Sequence, residues 1–181
     1  MDPVLQAIAR AALDATGAES GWVLRLDREQ LRAVAAAGPS AGDLLGAELP
    51  VGVGTAGYVV SSGQPMALVP RGPDARLTDG LGARLGKEPA SVLCVPCHDD
   101  DVVVGALELV DKAGGAPFSF DDVELVTLLG GIAGPALRAE GGRAGSRPPA
   151  EFAAELAHLA SSDPAAYARL SVVLEALLAR G

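Results

Sequence analysis

The chain has 181 residues, 49% hydrophobic and 20% charged, with a formal net charge of −9. That length admits one ordinary domain plus an appendage, and the composition is that of a globular chain rather than a disordered one. An acidic chain with thinly spread basic residues excludes nucleic acid and anionic lipid as expected partners.

No apolar run reaches the ~18–20 residues of a membrane span, and no basic-then-apolar leader opens the chain, so a cytoplasmic location is expected. Three Phe, two Tyr and one Trp leave few rings for stacking a flat ligand, so Val, Leu and Ala must build the core. Two cysteines without a secretion signal give no disulfide framework.

In chain order, Asp2 caps a first helix with Pro3 at its first position. Val4, Leu5, Ile8 and Ala12 are expected on one face, and Gly17 stops the helix. Trp22, Leu24 and Leu26 alternate with Val23, Arg25 and Asp27, which predicts a strand that turns at 27–30 into a second, 31–37. Residues 48–53 read as a short extended piece, 55–62 as a brief helix ended by Gly63, and 65–69 as a strand.

The long connection 70–89 exceeds ordinary loop length, with room for a short helix at 79–85. Strands at 91–97 and 102–110 form a hairpin around Asp99, Asp100 and Asp101, a solvated turn rather than a metal site. Ser119 opens a long helix with Asp122 as its capping-box partner, and Val123, Val126, Leu129, Ala133 and Leu137 share a face. Within it, Gly130-Gly131 and Gly134-Pro135 suit either a kink or the close approach of a partner helix.

The fold class is therefore α+β: a mainly antiparallel sheet of about five to six strands. Terminal helices flank it on one side, and the short helix and long lid loop lie on the other. The expected organisation is a domain over 1–140, a Gly/Pro/Arg linker over 141–149 and a tail of two short helices over 150–181. Phe152, Leu156 and Leu159 mark the first tail helix; Tyr167, Leu170, Leu174 and Leu177 mark the second.

Gly52, Gly54 and Gly57 spell G-x-G-x-x-G, but Gly63 and Pro65 end the following helix too soon for a dinucleotide crossover. A tight turn with close helix packing is expected instead. Cys94-Val95-Pro96-Cys97-His98 spells the c-type haem attachment sequence. In a strand, however, residues three apart face opposite sides, so the two thiols cannot easily form a disulfide, grip one metal or embrace one haem edge. With only His98 and His158 besides, a four-ligand zinc site within one chain is not expected.

Several phrases in order resemble the GAF family. They are Leu49-Pro50 with Gly52-Val53-Gly54 and Gly57; Ser62-Gly63-Gln64-Pro65; Ser91-Val92-Leu93-Cys94-Val95-Pro96; Gly105-Ala106-Leu107-Glu108-Leu109; and Asp111-Lys112, Phe118 and Asp121-Asp122. The last is similar to the Asn-Lys…Phe…Asp-Glu signature of cyclic-nucleotide-binding members. Asp111 and Val123 depart from it, so Lys112 and Asp122 are expected to be a structural clip that shuts a loop.

The resemblance implies a sensory or ligand-binding regulatory module signalling through a partner chain, with no catalytic residues, metal or cofactor. It places a pocket under the short helix and the connection 71–89, tested first at Tyr58, Met66, Leu68 and Cys94. The expected occupant is a small, mostly aliphatic ligand of unknown identity, or the pocket is empty. The expected partner is a second copy of the chain through the terminal helices. The tail packs on its own domain or on another chain. The alternative is a thiol enzyme or redox sensor using Cys94 and Cys97, of the free methionine sulfoxide reductase type.

Overall fold

The computed structural model describes residues 2–70, 88–145 and 149–165, together with 167, 168 and 171. Contacts divide the chain into units at 1–141 and 142–181. The first unit opens with α1 (Pro3–Thr16), capped by Asp2, whose carboxylate accepts from the backbone N–H groups of Val4 and Leu5. Such a cap satisfies donors that a helix start otherwise leaves open. Gly17, at φ 71°, ends the helix in the left-handed conformation that glycine adopts without strain.

The buried face of α1 is Leu5, Ile8, Ala9, Ala12, Leu13 and Thr16, whereas Val4 is half exposed. Val4 lies about 100° round the helix from Leu5, which puts it outside the stripe that the others share.

Six strands follow: β1 (Ala18–Asp27), β2 (Gln30–Ala37), β3 (Glu48–Pro50), β4 (Met66–Leu68), β5 (Val92–Asp99) and β6 (Val102–Lys112). They form one sheet in the order β3-β2-β1-β6-β5-β4, antiparallel at every pairing. A one-turn helix, α2 (Ala41–Leu44), links β2 to β3, and α3 (Gly54–Ser62) lies over β5 and β6. Gly52 and Gly54 take positive φ at the entry to α3, and a Cβ on Gly57 would press on the Gly52 backbone. The three glycines thus make a turn and a close packing contact.

The hairpin tip between β5 and β6 is narrower than expected. Asp99 pairs with Val102 inside the ladder, and Asp100 takes the positive φ of the turn. After a 3-10 turn at Ala113–Gly115 comes α4 (Phe120–Gly145).

Alternation along each strand separates two cores. Val23, Leu93, Val95, Cys97, Leu107 and Leu109 face α1 and α4, where they meet Leu5, Ile8, Val126, Ala133 and Leu137. Trp22, Leu24, Val92, Cys94, Ala106 and Val110 face the other way, toward Ala56, Val59 and Val60 of α3.

Two glycines of α4 face its own sheet. A Cβ on Gly130 would meet the Pro96 carbonyl, and one on Gly134 would overlap the His98 carbonyl. These glycines let the helix lie close on its own strand β5, and Pro135 sits exposed within a helix that runs on to Gly145.

The second unit contains α5 (Pro149–Ser162). Of the segments expected to be helical or a lid, 71–87 and the positions Leu170, Leu174 and Leu177 lie outside the described residues. Among the described residues, no helix is long and apolar enough to cross a membrane.

Candidate functional site

One row across the sheet gathers chemistry on the α3 face. Ala36 pairs with Trp22, Trp22 with Glu108, Glu108 with Cys94 and Cys94 with Met66. Residues directly opposite in neighbouring strands hold their Cβ atoms about 4.5–5.5 Å apart, so Trp22, Glu108 and Cys94 form one continuous patch.

Glu108 is 2% exposed in the middle of β6, with alanine and valine two residues away on its own face. Three donors converge on it: the Thr55 hydroxyl at 2.8 Å, the Cys94 thiol and the Ala56 backbone N–H. Burial pushes the Glu108 carboxyl above its ordinary range, and those three hydrogen bonds only partly offset the rise.

Trp22 is fully buried in the same row, and among the described residues its Nε1–H has no hydrogen-bond partner. A buried donor left unmade costs about 1–3 kcal/mol, which marks this position as one the fold tolerates rather than prefers.

Of the four pocket residues expected from the sequence, the structure brings three together. Cys94 is buried, and Met66 and Leu68 on the edge strand β4 pack partly buried against the same cluster. Tyr58 stands apart, 47% exposed on the outer side of α3. One residue of helical phase separates it from Val59, which points inward.

Glu108, Thr55 and Trp22 are not among the site residues expected from the sequence. A lone acid between Leu107 and Leu109 was the available signal for Glu108. Nothing local links Thr55 to a strand 53 positions away.

The two cysteines lie on opposite faces of β5, Cys94 toward α3 and Cys97 toward α1 and α4. Burial, followed by the neighbouring Glu108 charge, pushes the Cys94 thiol well up; burial pushes Cys97 up to about 12. Both are thiols rather than thiolates at neutral pH, the unreactive form. Among the described residues no group of three or more metal-ligating side chains forms.

Lys112 leaves the end of β6 and forms an ion pair with Asp122 in the first turn of α4, its ammonium 5.9 Å from the centre of the Phe118 ring. Asp122 also accepts from the Ser119 backbone N–H at 2.6 Å and hydroxyl at 2.9 Å, while Ser119 Oγ accepts from the Asp122 N–H at 3.2 Å. Burial would raise the Asp122 carboxyl; the Lys112 and Ser119 bonds outweigh it and hold the group below its ordinary value.

Beside this clip an open cleft of about 510 Å³ is bordered by Gly17, Glu19, Glu88, Asp111 and Gly114. Asp111, at φ 57°, accepts from the Ala90 N–H at 2.6 Å and fastens the cleft wall.

A single antiparallel sheet, long helices on one side and a short helix over a partly polar face on the other, defines an α+β module. The GAF domain model matches residues 1–138, and the chain belongs to the GAF domain family, one of sensory and regulatory domains. The chain is similar to the second GAF domain of DevS from Mycobacterium smegmatis. That domain is 28% identical, with 79% of this chain and 97% of that one covered and a TM-score of 0.60.

Two further structures share the fold at lower identity. One is the GAF domain of the Acinetobacter phosphoenolpyruvate-protein phosphotransferase, 17% identical, covering 78% of this chain and 84% of that one, TM-score 0.64. The other is the type II free methionine-R-sulfoxide reductase of Thermoplasma acidophilum, 15% identical, covering 74% and 89%, TM-score 0.59. No curated protein matches the chain.

Proposed function

We propose that the chain is a non-catalytic sensory module that receives a small molecule on the α3 face and passes the signal to a partner chain. The observation that carries this reading is the buried row of Trp22, Glu108 and Cys94, its indole N–H unpartnered among the described residues and its thiol pushed up by burial. It offers hydrogen-bonding groups for recognition without an activated nucleophile. Native mass spectrometry of freshly purified protein tests it. A retained small molecule, lost in Trp22→Phe that still folds, supports the reading; Trp22→Phe retaining the same molecule opposes it.

The partner we propose is a second copy of the chain. On the outer side of α4, Leu125, Leu128, Ile132, Pro135 and Ala139 recur at 3-4-3-4 spacing and are exposed, Leu128 at 69% and Ile132 at 58%. Val4, Ala7 and Ala11 are exposed along α1 with similar spacing. Such seams suit packing against another helix. Sedimentation at tens of micromolar should give a dimer that Ile132→Lys converts to monomer; a wild-type monomer contradicts it.

The thiol-enzyme reading is kept because Cys94 shares a face with Glu108 and some structures of this fold are sulfoxide reductases. Turnover of free methionine sulfoxide that Cys94→Ser abolishes would replace the sensory reading.

A further inference from the structure

The hydrogen-bonding groups of the α3 face are unevenly matched. Thr55 Oγ, Cys94 Sγ and the Ala56 N–H all donate to Glu108, and the Trp22 Nε1–H donates to nothing among the described residues. What remains open is a donor.

A cationic ligand would bring further donors, compete with Thr55 and Ala56 for the one carboxyl, and leave the indole unpartnered. An anionic ligand would lie beside the buried Glu108, where the repulsion is poorly screened. The surrounding side chains, Leu24, Ala36, Val59 and Val92, are apolar and neutral. Each consideration removes charge from the ligand and assigns it an acceptor.

Resting on the α3 face being a ligand site, we propose that its ligand is an uncharged small molecule whose carbonyl-type oxygen accepts from Trp22 Nε1 while its apolar part packs among the aliphatic side chains. The indole N–H fixes orientation, and the aliphatic wall supplies contact area. This division between a few placed polar groups and an apolar lining is the usual one for small-molecule sites.

Trp22 is the single tryptophan of the chain, so one indole ¹H–¹⁵N signal reports on this atom alone. The full chain, ¹⁵N-labelled, is titrated with N-methylacetamide and acetone as neutral acceptors, methylguanidinium as a cation and acetate as an anion. Saturation is expected at roughly tens of millimolar for probes of so few heavy atoms. Both neutral acceptors should move the indole proton saturably downfield, and the charged probes should leave it in place.

A saturable shift with methylguanidinium or acetate alone would overturn the neutral-acceptor assignment and leave the α3 face a ligand site. A folded protein whose indole signal responds to no probe would overturn the assignment and the site together.

Discussion

The two faces of the sheet place their polar groups differently. Toward α1 and α4 the buried polar side chains sit at element ends and are engaged. Asp2 caps α1, Thr16 donates to the Ala12 carbonyl, Arg25 pairs with Glu140 and Asp122 pairs with Lys112. Between them the packing is apolar. Toward α3, an acid stands in the middle of a strand and an indole N–H in the middle of the next. One face is arranged for stability; the other carries groups that stability alone would replace with hydrocarbon.

The largest expected effect lies on the packed face. Gly134→Ala would drive a methyl group into the His98 carbonyl and should cost more than about 4 kcal/mol or prevent folding. Gly131→Ala, three residues earlier with open space around it, should instead stabilise by up to ~1 kcal/mol. Urea unfolding of the pair checks the close approach of α4 to β5; equal effects would break the comparison.

Leu137→Ala, at a fully packed position, should cost about 2–5 kcal/mol by the same measurement. A smaller loss would mean that this face is less tightly built than the geometry indicates.

At the rim, Lys112→Met should cost about 1 kcal/mol, as for a partly exposed ion pair. The sign of its pH dependence follows from Asp122. Its folded-state carboxyl is held below the ordinary 3.8, so its contribution is full above that value and fades as pH falls through the folded-state pKa. Melting temperatures of wild type and Lys112→Met should therefore converge in acid. A constant gap down to the lowest accessible pH would show that the clip acts through packing instead.

Much of the packed face was legible in the sequence, because local patterns encode it. The Ser119 and Asp122 capping box, the Val123-to-Leu137 stripe of α4 and the strand alternation around Trp22 are each written within a few turns of chain. Cys94 and Cys97 were legible in the same way, since a spacing of three in a strand assigns opposite faces. The polar face was less legible. Its row runs across β1, β6, β5 and β4, so Trp22, Glu108, Cys94 and Met66 meet only through register. Thr55 reaches Glu108 through the placement of α3 over the sheet, which no local pattern records. Tyr58 was drawn into the expected site by its position on α3, and helical phase turns it outward.

The central claim is that Glu108 stands on the α3 face at a cost to the fold, and its pH dependence measures that cost. Its carboxyl is raised above the ordinary 4.5, so the unfolded chain ionises first as pH rises. Stability is full below 4.5 and is lost as pH climbs toward the folded-state pKa. Glu108→Gln lacks that loss. Urea unfolding of the two proteins at pH 4 and pH 8 should give near-equal stability at pH 4 and a more stable Glu108→Gln at pH 8. A variant that is less stable by the same margin at both pH values would make Glu108 a structural hub and contradict the account.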